Sequence, residues 1–337
     1  EVKETQYRDP EEVHFARGFQ DIFISIGLVI LCAGYFSGML TIFGSKGVTG
    51  PVAFGGLAVL SWLLAEWLSK KLRLALPSIL LTGAFVYACV AMAGGTINYF
   101  YGDLTFAHAP WSPYHGSRGS IEGAQVILPF MAGIAAGMLF YKRFRVPITP
   151  AAILASVVGA ALAGLFAAFP EFMEENGFFL FLIIGFGCFA TAMWFDSKDR
   201  LRETLNSDKA FWLHLLAAPI IVHSARWALT ENSGSNSAAL MVIALVLVLG
   251  VVALIVDRRA LLASALIYLG IAIGTLLDQV SVSSNGMFAL TLVILGLFVL
   301  TLGSGWPVLR RIVMRPLEGT LVAGIVPPVR EILKVKK

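Results

Sequence analysis

The sequence predicts an all-α membrane protein of about ten transmembrane helices, and three observations predict it. Of its 337 residues, 58% are apolar and only 14% charged, where a soluble domain carries about a quarter charged residues. The charges gather in short clusters between apolar runs of about 18–23 residues, the length needed to cross the hydrocarbon core. The ten-residue alternation of barrel strands is absent, and only helices or closed barrels satisfy every backbone group in lipid.

Residues 1–20 are polar, and Asp9-Pro10 reads as a helix start at the membrane surface. Because the chain opens on Glu1 rather than Met, the numbering is expected to begin after a trimmed start. The first run is too long for a signal-peptide core and no small-residue cleavage site follows it, so it reads as a retained span. Spans are expected near 21–43, 52–68, 76–93, 124–141 and 148–169. A second five follow near 178–195, 211–229, 238–256, 260–277 and 287–302. The chain thus divides into a cytoplasmic surface segment (1–20), one transmembrane domain (21–306) and a cytoplasmic basic tail (307–337). Glu171 to Gly177 reads as an acidic turn, and Asp196 to Ala210 as a solvated charged linker.

Gly133 and Gly137 in the fourth span, and Ala155, Gly159 and Ala163 in the fifth, recur at four-residue spacing. Such small faces let helix backbones approach closely. The tight Lys142-Arg143-Phe144-Arg145 connection makes these two spans an antiparallel hairpin. Glu66 near the end of the second span reads as an i,i+4 partner of Lys70.

Placing the amino terminus in the cytoplasm puts 22 of the 25 Lys and Arg residues in cytoplasmic segments. Lys46 and Arg118 fall outside, and Arg226 falls within a span. That bias is the positive-inside pattern, and it predicts both termini inside. It also accounts for the net charge of +4 without nucleic-acid binding. Two halves of five spans would be related by an inverted repeat, an arrangement found in secondary transporters.

The seventh span, FWLHLLAAPIIVHSARWAL, carries His214, Pro219, His223 and Arg226. An ionisable group in hydrocarbon costs about 2.5–3.5 kcal/mol even on the lenient insertion scale, so such groups face protein or water. His223 and Arg226 share a helix face, His214 lies near the inner end, and Pro219 frees a backbone carbonyl between them. One reading is a polar, outward-opening cavity in which Arg226 holds an anionic group, His223 titrates and Asp278, Asp103 or Glu122 is a candidate counter-ion. The other has Arg226 snorkelling to the headgroups while His223 makes one structural hydrogen bond. The long aromatic stretch from Thr96 to Glu122 holds Trp111, Tyr114 and His115. It is either a gate over that cavity or an interfacial belt.

No GxxxxGK[ST], GxSxG, HExxH or CxxC motif occurs, so no catalytic residue, metal site or cofactor is expected. Cys32, Cys89 and Cys188 are widely separated in apolar runs and read as small buried side chains.

The segment FDSKDRLRETLNSDKAFWLHLLAAPIIVH, Phe195 to His223, resembles one in uncharacterised bacterial multi-pass inner-membrane proteins with an AFWLHLLAAP-type helix. The resemblance implies a bacterial plasma-membrane setting and brings no activity with it. Ten spans with both ends inside is also similar in plan to the drug/metabolite transporter superfamily, without a motif match. Three classes of function follow. The first is a secondary carrier for a small solute, anionic where Arg226 holds it. The second is a non-catalytic membrane subunit docking a partner membrane protein, and the third a membrane-embedded enzyme or sensor. Lipid is the expected surroundings in all three.

Overall fold

A computed structural model describes residues 19–44, 48–101, 123–230, 235–277 and 284–328. Every regular element among them is helical: α1 (Phe19–Phe43), α2 (Thr49–Ala65), α3 (Ala75–Tyr101), α4 (Gly123–Phe144), α5 (Thr149–Ala168), α6 (Pro170–Lys198), α7 (Leu205–Thr230), α8 (Ser235–Val256), α9 (Ala260–Leu277), α10 (Ser284–Met314) and the short α11 (Leu321–Ile325). Nine helices among the described residues are long and apolar enough to cross a membrane, and α7 is not one of them. Its histidines and arginine lower its apolarity. Its length does not fall short: 26 residues span about 39 Å, against roughly 30 Å of hydrocarbon.

The chain forms two compact units that divide between Gly177 and Phe178, within α6. In the first unit, α2 pairs with α3 and α4 with α5. The small faces work as expected: a Cβ at Gly133 would lie 2.6 Å from Val90 and one at Gly137 2.6 Å from Ile153, closer than side chains tolerate. Trp62, Phe85, Phe140 and Phe144 pack ring against ring beneath the turns, with centroids 4.5–6.2 Å apart. Glu66 opens a π-helical turn, Glu66–Lys71. Its main partner is Arg143 at the end of α4, held through Nε (2.6 Å) and Nη2 (2.9 Å), with Lys70 a weaker 3.8 Å contact. Asp21 is buried and accepts from the Ala75 backbone N–H at 3.4 Å.

In the second unit α8 pairs with α9, and both pack on α7 and α10. A Cβ at Gly185 of α6 would come within 2.7 Å of Ile221 of α7, so those two helices also approach closely. The outward faces are apolar: Ile183 is 66% exposed, Leu247 57% and Ile267 67%. Apolar outside and polar within suits lipid surroundings.

Two expectations are corrected. The acidic stretch Glu171 to Gly177 is helical and opens α6; Pro170 suits the first helical position, and acids there complement the helix dipole. The helix that carries the tenth span runs on past Leu302, through Pro307 to Met314. Its extension carries Trp306 and Arg310, both buried. The linker from Asp196 to Ala210 is not a solvated loop, because Asp196, Asp199, Ser207 and Ala210 are buried.

Candidate functional site at the linker between α6 and α7

Each residue of this linker has a structural task. Asp199 lies just ahead of α7, where four backbone N–H groups lack helical partners. Its carboxylate accepts from the N–H groups of Glu203 (3.1 Å), Thr204 (2.9 Å) and Ser207 (3.3 Å), and from the Thr204 hydroxyl (2.6 Å). Burial pushes the Asp199 carboxyl up, but these donors outweigh it and hold its pKa below the usual aspartate value. Arg202 reaches the other way, donating to the carbonyls of Val256 (3.3 Å) and Asp257 (2.7 Å) at the end of α8. A cation there meets the negative end of the helix dipole.

At the centre stands Asp196, 1% exposed in the last turn of α6. One of its oxygens lies 2.9 Å from His214 Nε2 on α7 and accepts from Arg258 Nε at 3.2 Å. The other accepts from Arg258 Nη2. Arg258 also donates to the Ser207 carbonyl (3.0 Å) and hydroxyl (3.1 Å). With Asp196 anionic, the His214 proton belongs on Nε2, which leaves Nδ1 as a bare lone pair. That atom is buried without a hydrogen-bond partner among the described residues, and the Phe189 ring lies edge-on to the imidazole at 5.2 Å. An imidazole oriented by a carboxylate can serve as a base, but here its free nitrogen is enclosed.

Beside this triad, Asp257 accepts from Trp306 Nε1 at 2.8 Å. It faces Arg310 at 3.3 Å and Arg202 at 3.4 Å. Three connections thereby meet at one end of the unit: α6 to α7, α8 to α9, and the end of α10.

The sequence-predicted site residues fall in several places. His214 is fully buried in the triad. His223 is exposed on the side of α7, with Nδ1 2.8 Å from the Tyr268 hydroxyl. Arg226 is half-buried, its guanidinium 5.4 Å from the Tyr268 ring centre. Pro219 is exposed, and α7 continues through it. The structure thus joins His223 and Arg226 through Tyr268 and takes His214 into a separate cluster. Asp278, Asp103, Glu122, Trp111, Tyr114 and His115 lie outside the described residues. A shallow apolar groove of about 590 Å³ between α9 and α10, floored by Gly270 and Gly274, includes neither His223 nor Arg226.

Sequence reasoning missed Asp196, Ser207, Asp257, Arg258, Trp306 and Arg310 as one constellation. Each sits where an apolar run ends and reads singly as an interfacial group. No family model, curated protein or solved structure matches the chain. Fold and composition define its class, an all-α multi-pass membrane protein.

Proposed function

We propose that the protein is a secondary carrier for a small solute, working in a bacterial inner membrane with ten crossings and both termini in the cytoplasm. One observation carries the reading: α7 bears an ionisable cluster toward each end, His214 with Asp196 and Arg258 at one, His223 with Tyr268 and Arg226 at the other. Pro219 lies between them. An ionisable residue within a spanning segment is a functional-site hypothesis by default, and a proline in such a helix supplies a place to flex. In this reading α7 is the moving element and Arg226 meets an anionic solute at the outer end.

The test needs no solute. In a chain with Cys32, Cys89 and Cys188 replaced by Ala, Ala218→Cys puts a thiol beside Pro219 at a position 2% exposed. A carrier exposes it to an impermeant maleimide from either face, in right-side-out and in inverted vesicles. Protection from both faces would end the carrier reading.

A second reading, a non-catalytic subunit docking a membrane partner, is favoured by the matching of charges in the inner cluster. Asp196 faces Arg258, and Asp257 faces Arg202 and Arg310. Such a network is suited to hold helices in place, and double protection of the Ala218→Cys thiol is the outcome it expects.

A further inference from the structure

After α10 the chain turns back over the cluster. Arg200, in the linker, donates from Nη2 to the Ala323 carbonyl (2.8 Å) and from Nε to the Val326 carbonyl (3.0 Å). Arg310, on α10, donates from Nη2 to the Pro327 carbonyl (2.6 Å) and from Nη1 to that of Pro328 (3.3 Å). Val326 and Pro327 are buried, whereas Leu321 is 90% exposed and Ile325 47%. Every one of these hydrogen bonds ends on a main-chain oxygen.

We propose that Arg200 and Arg310 form a receptor for main-chain carbonyls, filled by the chain's own segment Ala323 to Pro328, which runs from the end of α11 into Val326-Pro327-Pro328, and that this segment is a releasable latch over the polar cluster. Two features support the receptor. The two guanidiniums come from separate elements: Arg200 holds the carbonyls of Ala323 in α11 and of Val326 just after it, and Arg310 those of Pro327 and Pro328, while burial of Val326 and Pro327 seats the segment. Pro327 and Pro328 hold the backbone extended at no further entropic cost, and neither has an N–H to leave unpaired. Release is favoured by how little else holds the segment, since few buried side chains and a five-residue helix put it at the low-stability end of the fold. The latch also touches the cluster directly. Arg310, which grips Pro327 and Pro328, donates to the Leu254 carbonyl (3.2 Å) and faces Asp257. Its release frees the guanidinium that closes this end of the cluster.

Val256, 4% exposed and next to Asp257, is the reporter position. In the chain lacking the three native cysteines, Val256→Cys keeps the carbonyl that Arg202 uses and adds a thiol in the buried cluster around Trp306, one residue from the Asp257 that Arg310 faces. With the full chain in detergent micelles, maleimide labelling of this thiol is expected to be slow. Truncation after Thr320 should accelerate it at least tenfold, and a synthetic peptide of residues 321–337 should restore the slow rate. Arg200→Lys, which keeps the charge and loses the two-carbonyl fork, should accelerate labelling severalfold; should the truncated chain elute as aggregate, this variant decides. Unchanged labelling in Arg200→Lys and in a folded truncated chain would overturn the latch, and so would an acceleration that the peptide cannot reverse. The latch would serve the proposed carrier as control of its inner end. Labelling at Val256 is read without solute or transport, so either proposal can fail alone.

Discussion

Asp257 has φ +61°, a left-handed backbone position that favours glycine. It ends α8 in a Schellman turn, with the Arg258 N–H reaching the Ala253 carbonyl at 2.9 Å. An aspartate held there points to work done by its side chain, and the carboxylate collects Trp306, Arg202 and Arg310. Arg258, the next residue, is 2% exposed and neutralises Asp196. Arg258→Ala leaves that carboxylate buried with His214 alone, and should cost about 3–5 kcal/mol, read as a shift in SDS-induced unfolding. A destabilisation below ~1 kcal/mol would mean that water reaches Asp196. Asp199 makes a pH prediction. Its pKa is lowered in the fold, so its stabilising contribution is complete above the unfolded value of about 3.9 and fades as pH falls through the folded one. Asp199→Asn should therefore lower the melting temperature at pH 7, with the gap to wild type closing below about pH 4. A gap constant across that range would show that the charge is immaterial.

Among the elements, one kind of turn recurs. Lys71-Leu72-Arg73, Arg143-Phe144-Arg145 and Arg200-Leu201-Arg202 each end on an arginine with positive φ, at +53°, +55° and +58°. Each closes a helix hairpin with a basic residue, an apolar residue and a left-handed arginine. In the first unit the acid ending α2 pairs with an arginine at the end of α4. In the second, the acid near the end of α6 pairs with the arginine following α8. The sequence made the helices legible, since apolar run length and charge clusters are local signals, and the GxxxG spacing announced the close approach of α4 and α5. It did not reveal the cluster. Asp196 and Arg258 are far apart in the chain, and a lone acid at a helix end looks the same whether it is solvated or buried. His223 and Arg226 drew attention because they interrupt an apolar stretch, and they do meet at Tyr268. The partner of His214 lay in a linker whose charges read as solvated.

For the molecule as a whole, the parity of the crossings turns on α7. Nine crossings would set the chain ends on opposite sides of the membrane; a tenth brings them together. Within the second unit, Arg258 after α8 touches Ser207 in the first turn of α7, so the two helices run antiparallel from a shared level. Reporter fusions at residue 1 and at residue 337 should both show cytoplasmic activity, and a split result would remove α7 from the membrane. The lower apolarity of α7 also has a consequence for biosynthesis. The partner of its buried histidine, Asp196, is made before it, but Arg258 is made only after α8 has emerged. On the ten-crossing proposal, α7 would be a hesitant passenger at the insertion machinery, since Asp196 and His214 would reach it before Arg258 is made. Its commitment to the bilayer would then wait for the hairpin that follows, and the second unit would insert as a group rather than helix by helix.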